Sequence, residues 1–261
     1  MSTPLLARVD PALICSVLFV LMLFTIALGN KIRRKYWQVE EGESKGGVNS
    51  LMGALFGLWS FILAFTFGQS GSRFETVRAM IVDEGNVLRS AILKADFFPD
   101  SIRNAYRIDL KKYLEERIAY YEDDGDEAKF LKDRAALSVT ATALWTRTVA
   151  LSKKPETSGP AGDMASALTD LFDIGIQREA FLNAGIPMPI NIMLVVLALA
   201  ISLVGGFTTP IIKRKEWIVI TVFALLATTV LYITIDLARP MQGLIKPDTG
   251  QQIIVNLRKL F

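Results

Sequence analysis

The chain has 261 residues, of which 51% are hydrophobic, with 29 Lys and Arg against 26 Asp and Glu and no histidine. So apolar a composition, with a positive mean hydropathy, excludes an ordinary soluble domain of this length and points to a bilayer. A net charge of +3 does not suggest nucleic acid. The missing histidine removes the commonest general base and metal ligand, so no enzyme, cofactor or metal site is expected.

Four apolar stretches reach the roughly 20 residues of helix that a bilayer requires. They run near 12–28, 48–67, 189–208 and 217–237. Only Arg8 precedes the first, whereas Lys31, Arg33, Arg34 and Lys35 follow it. That order is the reverse of a cleaved signal, so the first stretch reads as a retained anchor. Its Cys15 follows Ile14, where lipid attachment needs a small residue, and reads as a buried structural thiol.

In the second stretch Ser50, Gly53, Gly57, Ser60, Ala64, Gly68 and Gly71 recur at spacings of three and four. At 100° per residue they fall within about 80° of one another. Such a face suits either a closely approaching second helix or the wall of a narrow pore. Phe56, Trp59, Phe61, Phe65 and Phe67 crowd the same span, and an aromatic constriction there would gate by dewetting. The candidate lining is therefore Gly53, Phe56, Gly57, Ser60, Ala64, Phe67 and Gly71. No ionisable residue interrupts the spans until Asp236. This argues against a proton-coupled pump or a voltage sensor and for a passive channel or a structural assembly.

Beyond the second span, Phe74, Val77, Ile81, Leu88 and Ile92 continue an amphipathic stripe, predicting one helix of about 45 residues from near Leu51 to Ala95. It carries a Glu75–Arg78 pair, and Arg73 and Arg78 are suited to draw anions toward a pore mouth. Glu84 and Asn86 follow as charged-motif candidates. Asp100 predicts the cap of the next helix, residues 127–152 form another, and after the loop 155–162 Asp163 caps a fourth running to Asn183. The acidic run 122–127 lacks the ligand alternation of a calcium loop and reads as a solvated turn.

With no strand signal, the part outside the membrane is predicted to be a helical bundle. After the last span, Arg239-Pro240 stops the helix, and 251–260 form a short amphipathic helix suited to the bundle or the membrane surface. The expected fold is thus an all-α membrane protein with four transmembrane helices. Residues 1–68 form the first hairpin, 69–186 an inserted helical extramembrane domain, 187–238 the second hairpin, and 239–261 a C-terminal tail.

The segment Phe65 to Asn86 has Phe65-Thr66-Phe67 leading into Ser72-Arg73-Phe74-Glu75 and then Asp83-Glu84-Gly85-Asn86. It resembles the bestrophin-like family of bacterial membrane proteins. The tail Asp236-Leu237-Ala238-Arg239-Pro240 with Gly243-Leu244-Ile245 is similar to that family's closing motif. The order of elements agrees across nearly the whole chain. A further likeness to true bestrophins implies a pentameric anion channel of the cell (inner) membrane. Its neck would fall between Phe56 and Phe67, and its partners would be the lipid bilayer and inorganic ions. Bestrophins also carry an acidic calcium cluster after the fourth span, where this chain offers only Asp248.

Charge and resemblance disagree on orientation. The short loops hold Lys31, Arg33, Arg34, Lys35 and Lys45, then Lys213, Arg214 and Lys215. The positive-inside rule places them in the cytoplasm and the helical domain outside, whereas the resemblance implies the reverse. The leading expectation is a homo-oligomeric ion channel with the second span lining the pore. The alternative is a membrane scaffold or sensor whose helical domain binds a partner or ligand.

Overall fold

A helix satisfies its backbone polar groups within one segment, which is what lipid demands of a spanning element. In the computed structural model every described element is helical. The structure describes residues 10–36, 45–121, 127–183, 185–209, 214–239, 245 and 248–261. Among the described residues eight α-helices follow in order: α1 (Pro11–Tyr36), α2 (Lys45–Lys94), α3 (Asp100–Tyr121), α4 (Glu127–Ser152), α5 (Ser158–Asn183), α6 (Met188–Thr208), α7 (Arg214–Leu237) and α8 (Asp248–Asn256). Short 3-10 turns extend α2 over Ala95–Phe97 and α8 over Leu257–Leu260. Helices α1, α2, α6 and α7 are long and apolar enough to cross a membrane.

Two boundaries differ from expectation. Asp163 does not cap α5, which begins at Ser158. Pro160 falls in the first turn, where a proline's missing N–H costs nothing, and Ala161 N donates to Thr157 O at 2.9 Å. Nor does Asp100 cap α3. The carbonyl of Pro99 accepts from Ile102 N and Arg103 N, both at 2.9 Å, and Asp100 pairs with Arg103 at 3.1 Å. Helix α2 runs unbroken through Gly68, Gly71 and Gly85. The acidic run lies largely outside the described residues.

The chain divides into two compact units, Met1–Arg73 with Ile186–Ala238, and Phe74–Gly185 with Arg239–Phe261. In the first, α1 packs along α6 and α7. Helices α1 and α6 cross backbone to backbone: a Cβ on Gly29 would sit 2.1 Å from Leu203 O, and one on Gly206 2.0 Å from Ile26 O. Only glycine permits this approach. One turn on, Asn30 Nδ2 donates to Thr209 O at 2.6 Å, and Arg33 Nη1 donates to Thr208 O at 2.6 Å and Phe207 O at 3.1 Å. These side chains satisfy carbonyls that the end of α6 leaves without intrahelical donors. Leu18, Met22, Trp59, Leu194, Ala224 and Leu231 fill the core.

In the second unit α3 packs on α4 and α4 on α5. The half of α2 after Arg73 contributes Val77, Ile81, Leu88 and Ile92 to the core. Helix α8 joins the same core through Ile254 and Leu257, so the amphipathic tail packs on the bundle. Gly85 on α2 admits this contact, since a Cβ there would meet Ile253 Cγ2 at 3.1 Å. Arg258 holds both oxygens of Glu115, at 2.8 and 2.5 Å, and this bond keeps the Glu115 carboxyl below its ordinary range.

Gly206→Val is expected to lower the thermal midpoint of the solubilised protein by at least 5 °C, on the order of 1–2 kcal/mol or more. Gly205→Ala, whose Cβ meets only the flexible end of Met52, should leave it within 1–2 °C, about the scale of a neutral substitution. Because the folded-state pKa of Glu115 is depressed, its bond to Arg258 stabilises the docked tail above the ordinary carboxylate value and is lost as pH falls through the lowered one. Hydrogen exchange of α8, corrected for intrinsic rates, should therefore quicken at acid pH in the wild type. In Glu115→Gln it should quicken less.

Candidate functional site

Helix α2 buries a single stripe. In the first unit Trp59, Leu63, Thr66 and Ser70 are buried, and in the second Val77, Ile81, Glu84, Leu88, Ala91 and Ala95. The spacings are threes, fours and one seven, so one side of the helix is committed throughout. Trp59 belongs to this side, and its Nε1 donates to Leu194 O at 3.1 Å. Thr66 and Ser70 satisfy their hydroxyls on the helix itself, donating to Ile62 O at 2.7 Å and Thr66 O at 2.9 Å.

The small-residue face lies about 130° around the helix from that stripe. At Gly53, Gly57, Gly68 and Gly71 an added Cβ would meet nothing within 4 Å among the described residues. Gly53, Gly57, Ala64 and Gly68 are exposed, and Ser60 and Gly71 are half-buried. Ser60, Ala64 and Phe67 share an open apolar groove of about 390 Å³ with Leu63, Val230 and Ile233 of the same unit. Phe56 turns to α7, its ring 5.5 Å from that of Phe223. Two other rings are exposed, Phe61 at 70% and Phe65 at 58%.

Past the span, Arg73 is half-buried, and Glu75 and Arg78 form an exposed pair at 3.5 Å. Asn86 is exposed. Asp236 is buried in the last turn of α7, Arg239 is half-buried just after it, and Pro240 and Gly243 lie outside the described residues. Among the described residues no group of three or more metal-ligating side chains converges.

Glu84 differs from the others. Its carboxylate lies inside the helical bundle and accepts from Arg117 Nε of α3 and, at 2.9 Å, from Arg178 Nη1 of α5. All three side chains are buried, at 1%, 6% and 1% exposure. Gly175 makes room for the cluster, since a Cβ there would sit 3.0 Å from Arg117 Nη2. The Arg117 guanidinium also lies over the Tyr120 ring at 5.4 Å. Nearby Tyr113 has its hydroxyl pushed up to about 12 by burial. Arg117 and Arg178 were not among the sequence candidates as partners of Glu84, although a signal exists. Each of the three charges occupies an apolar stripe of its helix, as Val77-Ile81-Glu84-Leu88, Leu110-Leu114-Arg117-Ile118 and Leu168-Leu171-Arg178. A charge at a core position requires an opposite charge from another helix.

The model of the family described as Bestrophin-like domain matches residues 14–246. No curated protein and no solved structure matches the chain.

Removing one member of a buried ion pair strands the rest without solvent, at about 3–5 kcal/mol. Glu84→Ala should therefore destabilise the full-length protein by that order, read from its denaturation midpoint. Asn86→Ala, two residues away but exposed, should change it by less than about 0.5 kcal/mol.

Proposed function

The chain belongs to the bestrophin-like family, and from that premise we propose that it is a homo-oligomeric ion channel with its pore along α2. The observation that carries this reading is the open face of α2. At four glycines that would let another helix approach closely, an added Cβ would meet nothing within 4 Å among the described residues, whereas Gly29 and Gly206 are already in close contact. Small residues at such a face suit helix association in lipid, and a ring of copies would turn the adjoining surface toward its axis. Phe61 lies about 170° from the buried stripe and is the most exposed ring of the span. In that ring it forms the apolar constriction, flanked by Gly57 and Ala64. Arg73 and Arg78 stand at the mouth and favour anions by their charge.

In this reading the four apolar helices cross the membrane, residues 69–186 form the extramembrane domain, and the loops bearing Lys31 to Lys35 and Lys213 to Lys215 face the cytoplasm. The absence of ionisable groups within the spans before Asp236 fits passive permeation rather than pumping.

Purified protein in liposomes should pass a halide, and Phe61→Ala should raise the flux severalfold by widening and wetting the neck. Gly57→Leu should reduce the population of assembled oligomer. A subunit count of one or two with no flux from the wild type would sink the channel and favour a scaffold or sensor.

A further inference from the structure

Two basic segments far apart in sequence meet at one end of the first unit. Lys31, Arg34 and Lys35 lie in the last two turns of α1 and are exposed. Arg214 and Lys215 open α7 and are also exposed. The end of α6 joins them. Asn30 and Arg33 of α1 are hydrogen-bonded to the carbonyls of Phe207, Thr208 and Thr209, and Arg214 follows Thr209 by five residues, a reach of at most about 18 Å. Helix α1 packs along α7 as well. Helix α2 enters at this end, since Met52 Sδ accepts from Thr208 Oγ1 at 3.5 Å. Glu216 is the one acidic residue among the described residues of these segments, so five cations face one anion. At the other end of the same helices stand Asp10, exposed before α1, and Asp236, buried in α7. Among the described residues of α1 and α7, the cations are therefore gathered at one end.

We propose that Lys31, Arg34, Arg214 and Lys215 form one surface that binds the headgroups of anionic phospholipids. The surface lies at the ends of apolar helices, at the depth where a leaflet presents its phosphates. Clustered Lys and Arg beside spanning helices attract anionic lipid additively. What the fold adds is convergence: neither segment alone offers more than three exposed cations, and the side chains that join α1 to α6 hold the two together. Arg33 is spent on the α6 carbonyls and is not part of the surface. This inference does not depend on the channel reading.

The test is native mass spectrometry of the full-length protein in detergent with phosphatidylglycerol, phosphatidylcholine or soluble glycerol phosphate. The wild type should retain phosphatidylglycerol over phosphatidylcholine by on the order of tenfold or more. That preference should weaken at high salt. Lys31→Gln/Arg34→Gln/Arg214→Gln/Lys215→Gln should abolish it, and Lys111→Gln/Lys112→Gln on α3 should leave it intact. If the fourfold variant misfolds, Arg34→Gln/Lys215→Gln should still cut the preference severalfold. Equal retention of both lipids, retention unaffected by the substitutions, or glycerol phosphate binding as well as the lipid would each overturn the proposal.

Discussion

An unbroken helix turns its side chains by 100° per residue and has no other freedom. Once one stripe of α2 is buried, every other residue on it is placed. That constraint matters here because α2 is, among the described helices, the one whose residues belong to both compact units. Trp59, Leu63, Thr66 and Ser70 commit one side in the first unit, and Val77, Ile81, Glu84 and Leu88 in the second. The glycines at 53, 57 and 68 and the rings of Phe61 and Phe65 are then exposed. Their exposure follows from what the opposite side buries.

The stripe is not wholly apolar. Glu84 sits where a leucine would serve, and it is answered by guanidinium groups from α3 and α5. An apolar residue of similar volume often packs at no loss of stability, so a buried ion pair is poor evidence for stability as such. What it supplies is register. A carboxylate with two directional partners fixes the angular and axial setting of α2 against α3 and α5 in a way that interchangeable methyl groups do not. Gly175 and Gly85 belong to the same arrangement, one leaving space for Arg117 and the other for Ile253.

The four spans and the length of α2 were legible because hydropathy over about 20 residues and a sustained 3.6-residue period are strong signals. Helix starts were less so: Asp100 and Asp163 have the chemistry of caps, yet Pro99 and Thr157 supply the first carbonyls. The small-residue stripe on α2 was legible as a pattern, but the tight crossing inside the chain uses two glycines that form no pattern, Gly29 and Gly206. A contact across 177 residues of sequence leaves no local periodicity. The same holds for Glu84, whose motif was visible while its partners on α3 and α5 required reading three stripes together.

The junction of α1 with α6 has a consequence for biosynthesis. Asn30 and the carbonyl it holds are 179 residues apart. At about 5–20 residues per second, the ribosome takes on the order of ten seconds or more to deliver α6 after α1 has left it. During that interval Gly29 faces lipid or a temporary neighbour, and Asn30 and Arg33 have no α6 carbonyls to bind. Helix α1 is thus made well before either of the helices it packs along, and this unit closes only when α6 and α7 arrive.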